Sequence, residues 1–459
     1  MKLLPLEKLG AREVAGGVVE FGIFLPWVSA SNGNQLWVKI IHEKDQFLQD
    51  IAPNEFELAH KTDPEYGDYW SVKIDIRSKS RSRRTHPNSK WGQDGKYVYR
   101  YCLRNSHDSE IDWIVDPFAR EFGVGQLSAF TLKYQDYVWS RHEEKVWKTP
   151  ALKDIVIYRL LLSEFSRNID RTTNLLDYLA DLGINCIEII PVSSVATTLT
   201  KELLSIGYFG LDGQFGQKKD LQRLIDAAHQ RKLAIVWDIF YSHSSNRFPY
   251  FSIYEKLGYH ESPFVQDSLG ENIDNVNSAP GGSLREDWYA CGSPASNVLE
   301  NVDFRRKFTQ DFFLTVNYYW LDYYHVDGFR YGYISTNGSN DIQEEAYADS
   351  IFNTYQAVKA QRDSRSHWQR FFHNGDINLI QCAKQSTYLQ EFSQTYSNCA
   401  WQNETLAAAQ GVAHGDRAEL TNLGLWFGLT DYPAETTIDD DKLTKTALQY
   451  IEDYDCSRF

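Results

Sequence analysis

His325-Val-Asp-Gly-Phe-Arg-Tyr-Gly332 decides how this chain is read. Its apolar middle and polar end predict a short buried strand that carries side chains to its own C-terminal end. The segment before it, from about Asp303 to Tyr324, places Phe308, Phe312, Tyr319, Trp320 and Tyr323 along a long aromatic helix. A helix feeding a strand that ends in charge is one βα unit of a parallel α/β fold. In a (β/α)8 barrel, catalytic groups stand at such strand ends.

Outward from this unit the same rhythm repeats. Asp154–Leu161 predicts a first strand, and Arg171–Leu182 a helix with apolar residues at 175, 176, 179 and 182, stopped by Gly183. Ile184–Ile190 predicts the second strand, which Pro191 ends. Leu221, Leu224, Ile225 and Ala228 form the next helix face, and Leu233–Asp238 the third strand. Leu379–Ala383 predicts the fifth. Ser244–Val302, rich in Gly, Pro, Asn and Ser, reads as a long loop insertion after the third strand, either a small extra domain or a disordered lid.

Residues 1 to about 150 follow a different pattern. Val18–Leu25, Gln35–Ile41, Tyr69–Ile76 and Lys96–Leu103 are strand-like runs, and the basic, Ser-rich Ser78–Asn88 is an exposed hairpin tip. The pattern predicts an immunoglobulin-like β-sandwich. The expected organisation is a β-sandwich over 1–120, a connection over 121–152, and a (β/α)8 TIM barrel over 153–459 carrying the insertion 244–302.

Composition bounds the function. The chain has 459 residues, 42% hydrophobic and 24% charged, as in an ordinary soluble globular protein with a large core. A net charge of −15 argues against nucleic-acid binding and leaves a neutral polysaccharide acceptable. Aromatic residues make up 14%; most would pack the core, and some would suit sugar stacking. None of the six cysteines stands in a Cys-x-x-Cys, and Cys186 and Cys382 lie in apolar runs. All six are therefore expected to be reduced thiols in a cytoplasmic protein. The apolar run at Met1-Lys-Leu-Leu-Pro-Leu-Glu is too short for a signal peptide, and no run approaches the ~18 residues that span a membrane.

Gly328-Phe-Arg330-Tyr-Gly332 resembles the Gly-Phe-Arg-x-Asp motif of glycoside hydrolase family 13, the α-amylase family. That resemblance implies that Gly332 occupies the position of the catalytic nucleophile, and that Arg330, which would hold its charge, has lost its partner. Asp238-Ile-Phe-Tyr-Ser242-His243 is similar to the family's Asp-x-x-x-Asn-His. It implies sugar contacts from Asp238 and His243. Ser242 replaces an Asn that often helps to bind calcium, so no metal and no cofactor are expected. Ile377–Lys384 is similar to the strand that ends in the family's acid/base Glu, which puts Lys384 at that position; Glu391 is the competing alignment. Tyr450-Ile-Glu-Asp-Tyr454-Asp455-Cys-Ser-Arg-Phe459 resembles Glu-Asn-His-Asp-x-Ser-Arg-Phe. Asp455 then matches the transition-state-stabilising Asp, and Tyr454 replaces the His beside it. The N-terminal module and Asp112–Arg120 resemble members of the branching-enzyme and trehalose-releasing type.

The chemistry follows from these substitutions. Retaining glycosidases need two carboxyl groups ~5–5.5 Å apart. With Gly332 and Lys384 in their places, catalysis is expected to be absent or very weak. Asp327 is offset from Gly332 by an odd number of residues and faces the other way. Glu188 faces either the interior or the helices. No eighth strand follows the seventh-strand motif, so the barrel is expected to be truncated, with an open edge that invites a protein partner or self-association. Three functions remain open: a non-catalytic binder of α-glucan or maltooligosaccharide, an active α-glucan hydrolase or branching transglycosylase with replacement acids, and an interaction protein or decayed gene product.

Overall fold

Gly328–Tyr331 forms the central strand because every side chain in it is buried on both faces, the mark of a parallel strand covered by helices. In a computed structural model of the chain, the described residues are 1–78, 86, 88–106, 110–190, 206–241, 243–245, 247–259, 261–264, 299–332, 353–373, 376–383, 397–428, 435–438 and 441–450. They divide into two compact units. One comprises residues 1–138, 192–221 and 243–316; the other comprises 139–191, 222–242 and 317–459.

The second unit is built on a seven-stranded parallel sheet. Its strands are Ile157–Leu160, Cys186–Ile189, Ala234–Ile239, Gly328–Tyr331, Ile380–Ala383, Cys399–Gln402 and Thr446–Gln449, in sequential order. The strand rhythm read from the sequence is therefore present, with a sixth strand at Cys399–Gln402 and the seventh, Thr446–Gln449, just before the 450–459 motif. Gly328 is required by close approach: a Cβ there would lie 2.0 Å from the carbonyl oxygen of Ile380 on the next strand.

The aromatic helix spans Lys307–Tyr319 and continues as a π-helical turn, Trp320–Tyr324. His325 ends it in the left-handed region at φ 62° and turns the chain into the strand. The single helix expected over 171–182 is instead two, Ile169–Asn174 and Leu176–Asp181. Thr172 and Thr173 donate their hydroxyls back to the Asn168 and Ile169 carbonyls, which favours an early end to the first. Gly183 closes the second at φ 83°, as expected from its position.

The first unit holds two antiparallel sheets. One has the order Gly10–Ala15, Val18–Phe24, Gly67–Asp75, Ala59–Asp63. The other runs Asn54–Glu57, Asn34–His42, Gly95–Asn105, Ser128–Leu132, Glu121–Phe122, with Glu110–Ile114 also on Gly95–Asn105. Phe21 of the first sheet packs edge-on against Tyr99 and Phe130 of the second, at 5.1 and 5.6 Å. Within the expected insertion, Pro249–Lys256 is a helix whose Tyr250 and Tyr254 hydroxyls donate to the carbonyls of Phe24 and Pro26.

One expectation is overturned by the strand register. Cys382 and Cys399 are not free thiols but a disulfide. They are directly paired on neighbouring parallel strands, with Cα atoms 4.6 Å apart, and so point to the same side within bonding reach. Cys102 and Cys186 are free and buried.

Candidate active site

Two rows of register partners bring the site together inside the parallel sheet. Arg159, Glu188 and Val236 form one. Asp238, Arg330, Cys382, Cys399 and Thr446 form the next, two residues further along the strands. Side chains two apart on a strand share a face, so the charged groups of both rows meet.

Asp238 is the hub. Its Oδ1 accepts from Arg330 Nη1 at 2.7 Å, and its Oδ2 accepts from Arg159 Nη2 at 2.6 Å. Arg159 Nε lies 2.7 Å from Glu188 Oε1, an ion pair without hydrogen-bond alignment. Asp238, Glu188 and Arg330 have no exposed surface. Two guanidiniums and two carboxylates therefore neutralise one another in sequence. Glu188, whose facing was open, belongs to this interior group. The expectation that Arg330 stands without a partner is corrected: Asp238, 92 residues earlier, holds it.

Gly332 follows the fourth strand, and its N–H donates to the Ile239 carbonyl at 2.9 Å. A Cβ at this position would lie 2.6 Å from both Cδ1 and Cε1 of Phe240. The ring of Phe240 thus fills the space into which any side chain at position 332 would grow. Gly332→Asp is expected to destabilise the chain by about 1–3 kcal/mol, as overpacking does. Adding Phe240→Ala should recover part of that loss, a coupling visible in urea midpoints of the two single variants and the double. Equal midpoints for wild type and Gly332→Asp would show that the ring yields freely.

Trp401 on the sixth strand completes the interior. Its ring centre is 5.0 Å from the Arg330 guanidinium and 5.2 Å from that of Arg159. A cavity of about 970 Å3 is lined by Arg159, Glu188, Trp401, Leu448 and Tyr450. The first and seventh strands both border it, and among the described residues each of these strands pairs on one side only.

The remaining expected site residues are placed less fully. His243 opens the strand His243–Ser245, which pairs with Leu299–Asn301, and it belongs to the other compact unit from Asp238. Ser242, Lys384, Glu391, Tyr454 and Asp455 lie outside the described residues. Asp327 takes no part in the interior rows. It is buried just before the fourth strand, where its Oδ2 lies 2.9 Å from His229 Nε2.

Sequence reasoning also passed over Trp113 in the first unit. It is 62% exposed and left-handed at φ 64°, where the register of Glu110–Ile114 against Gly95–Asn105 slips. The Arg100 guanidinium covers one ring face at 3.9 Å and is clamped by Asp112 at 2.9 and 3.3 Å. Burial alone would raise the Asp112 pKa, but hydrogen bonds from Arg100 and Lys39 hold it down at about 2. A lone Trp beside Asp112 in a strand edge was the available signal. Among the described residues Cys102, Glu110 and Asp112 gather close enough for a metal. Lys39 at 2.9 Å from Asp112 and Arg104 at 3.3 Å from Glu110 already neutralise that group.

Comparison with known proteins decides the family. The family model described as alpha amylase, catalytic domain, matches residues 168–410, more than half of the chain. The chain belongs to the alpha-amylase family, glycoside hydrolase family 13. Within it, this alpha-amylase-family chain is of the branching-enzyme and trehalohydrolase type. It is 24% identical over 340 residues to the 1,4-alpha-glucan branching enzyme of Corynebacterium glutamicum, covering 72% of this chain and 40% of that protein. It is 32% identical over 123 residues to the malto-oligosyltrehalose trehalohydrolase of Rhizobium sp., covering 26% of this chain and 21% of that protein. The matches span less than half the length of these curated relatives. In fold, this family member resembles the pullulanase of Anoxybacillus sp. LM18-11, with a TM-score of 0.61 at 14% identity over 97% of this chain and 59% of that one. That pullulanase has also been solved with maltotriose. A putative alpha amylase from Salmonella typhimurium gives 0.57 at 14% identity, over 97% of this chain and 66% of that one. No helix among the described residues is long and apolar enough to cross a membrane.

Proposed function

We propose that this alpha-amylase-family chain binds an α-glucan or maltooligosaccharide and does not cleave it. The observation that carries the reading is Gly332, with the Phe240 ring 2.6 Å from where its Cβ would stand. No carboxylate is available there to attack a sugar, and covalent catalysis is lost with it. Among the described residues, Asp238 and Glu188 of the interior rows are each engaged by guanidiniums. Lys384, at the position that the resemblance gives to the acid/base Glu, carries no carboxyl group.

Binding is supported by an aromatic surface. Trp113 offers one open ring face, with the other fixed by Arg100. An aromatic face held rigid is suited to the apolar face of a glucose unit.

The test is migration of the purified chain in gels with and without glycogen, alongside an assay for maltooligosaccharide turnover. Retardation without turnover is expected. Trp113→Ala should weaken retardation by roughly threefold to tenfold, the loss of one aromatic stack; unchanged retardation would remove that surface from the reading. Turnover by the wild type that Asp455→Asn abolishes would replace the reading with an active glycosidase. Hydrolysis only in the combined variant Gly332→Asp, Phe240→Ala and Lys384→Glu would support the alignment of both lost acids. A second reading, association with another polypeptide, draws on the one-sided pairing of the first and seventh strands beside the cavity. A stoichiometric co-purifying protein, with no glycogen retardation, would favour it.

A further inference from the structure

A guanidinium presents two forks to an oxyanion, Nη1 with Nη2 at its end and Nε with Nη2 along its side. Asp238 engages Arg330 only through Nη1. Nε and Nη2 have no hydrogen-bond partner among the described residues, although Arg330 is fully buried. These two atoms are together the side-on fork. Buried donors are rarely left unmade, because each forfeits its hydration.

A third donor stands close by. Trp401 Nε1 is also without a partner among the described residues, and its ring centre is 5.0 Å from the Arg330 guanidinium. The unmet groups of these two residues are all donors, so their complement is an acceptor without hydrogens. A sugar hydroxyl brings a hydrogen with each oxygen. A carboxylate or phosphate brings two hydrogen-free oxygens, spaced for parallel N–H groups. Gly332, two residues beyond Arg330, supplies no carboxylate from within the chain.

We propose that the side-on fork of Arg330 binds a carboxylate or phosphate group carried by a ligand, which reaches it past Trp401 from the interior cavity. This site is independent of glucan binding, since a neutral glucan has no such group.

Thermal melting of the full chain against sodium formate and inorganic phosphate tests it, with sodium chloride at matched ionic strength. Both oxyanions should raise the melting midpoint along a saturating curve that chloride does not reproduce. Arg330→Lys keeps a cation for Asp238 but has no fork, and should raise the half-saturating concentration at least tenfold. Should that variant not fold, Trp401→Phe, which removes only the third donor, should raise it severalfold. Glucuronate compared with glucose 6-phosphate then tells which group is preferred, with glucose as the neutral control. The proposal is overturned by a linear or absent response to both oxyanions, by an equal response to chloride, or by an unchanged half-saturation in the folded variants. Loss of the oxyanion response with glycogen retardation intact would sink this site alone.

Discussion

Replacing Asp327 by asparagine is expected to cost the fold about 3–5 kcal/mol, the penalty for breaking a buried charge pair from one side. Asp327 Oδ1 accepts from Trp147 Nε1 at 2.9 Å and Thr149 Oγ1 at 2.8 Å. Its Oδ2 accepts from the Ile235 amide at 2.9 Å and lies 2.9 Å from His229 Nε2. An asparagine can keep one carbonyl-like oxygen for Trp147 and Thr149, but its amide then points hydrogens at two donors. His229 is bracketed from its other nitrogen by Glu143, whose second oxygen is 2.8 Å from His325 Nδ1. The Trp147 ring stacks on the His229 imidazole at 4.2 Å. Residues 143, 147 and 149 are thereby fastened to the third strand at 235 and to residue 327, just before the fourth.

The pH dependence of that loss identifies its cause. Burial would drive His229 toward neutrality, but Glu143 and Asp327 outweigh it and raise its pKa to about 9. A raised histidine stabilises fully below its unfolded value, and that contribution fades as pH climbs through the folded one. Burial also opposes ionisation of Glu143 and Asp327, yet His229 holds both below the ordinary carboxylate range. Their contribution is present above the unfolded carboxylate pKa and is lost on acidification. The pairing of His229 with these two carboxylates is thus at full strength between roughly pH 4.5 and 6.5 and weakens toward pH 9. Urea unfolding of wild type and Asp327→Asn should show a larger gap at pH 6 than at pH 9.5. A gap of the same size at both would mean that His229 carries no proton to lose.

The second large effect belongs to the Cys382–Cys399 bridge, which closes a loop across a sequence separation of 17. Removing it by Cys382→Ala and Cys399→Ala is expected to cost roughly 3 kcal/mol through the freedom returned to the unfolded chain. Reductant should lower the melting midpoint of the wild type to that of the double variant and leave the variant unmoved. Alkylation of unreduced, denatured wild type should spare Cys382 and Cys399 while labelling Cys102 and Cys186. Labelling of all four would mean that no bridge forms. This bridge stands against the reduced thiols expected at Cys382 and Cys399 from composition.

Much of the parallel sheet could be read from residues alone, because each strand is a local apolar run and each run has its stop. Ile184–Ile190 and Leu379–Ala383 contain the observed strands Cys186–Ile189 and Ile380–Ala383. What could not be read was lateral. Arg330 finds Asp238 through register between the third and fourth strands. Cys382 finds Cys399 through register between the fifth and sixth. Glu188 could be assigned to the interior only once Arg159 was seen beside it. Periodicity fixes a side chain's face relative to its own strand, and says nothing of which neighbour stands level with it. The Gly-Phe-Arg motif identified the family, while the fate of its last position depended on Phe240, on a different strand end.

Phe240 also makes a carboxylate at position 332 hard to acquire. A lineage carrying this chain could not gain that carboxylate by one codon change without passing through a less stable protein. Shrinking residue 240 beforehand would open the space but leave a void with nothing yet to fill it. Either order of steps crosses an intermediate worse than its parent, so the two positions act as a ratchet.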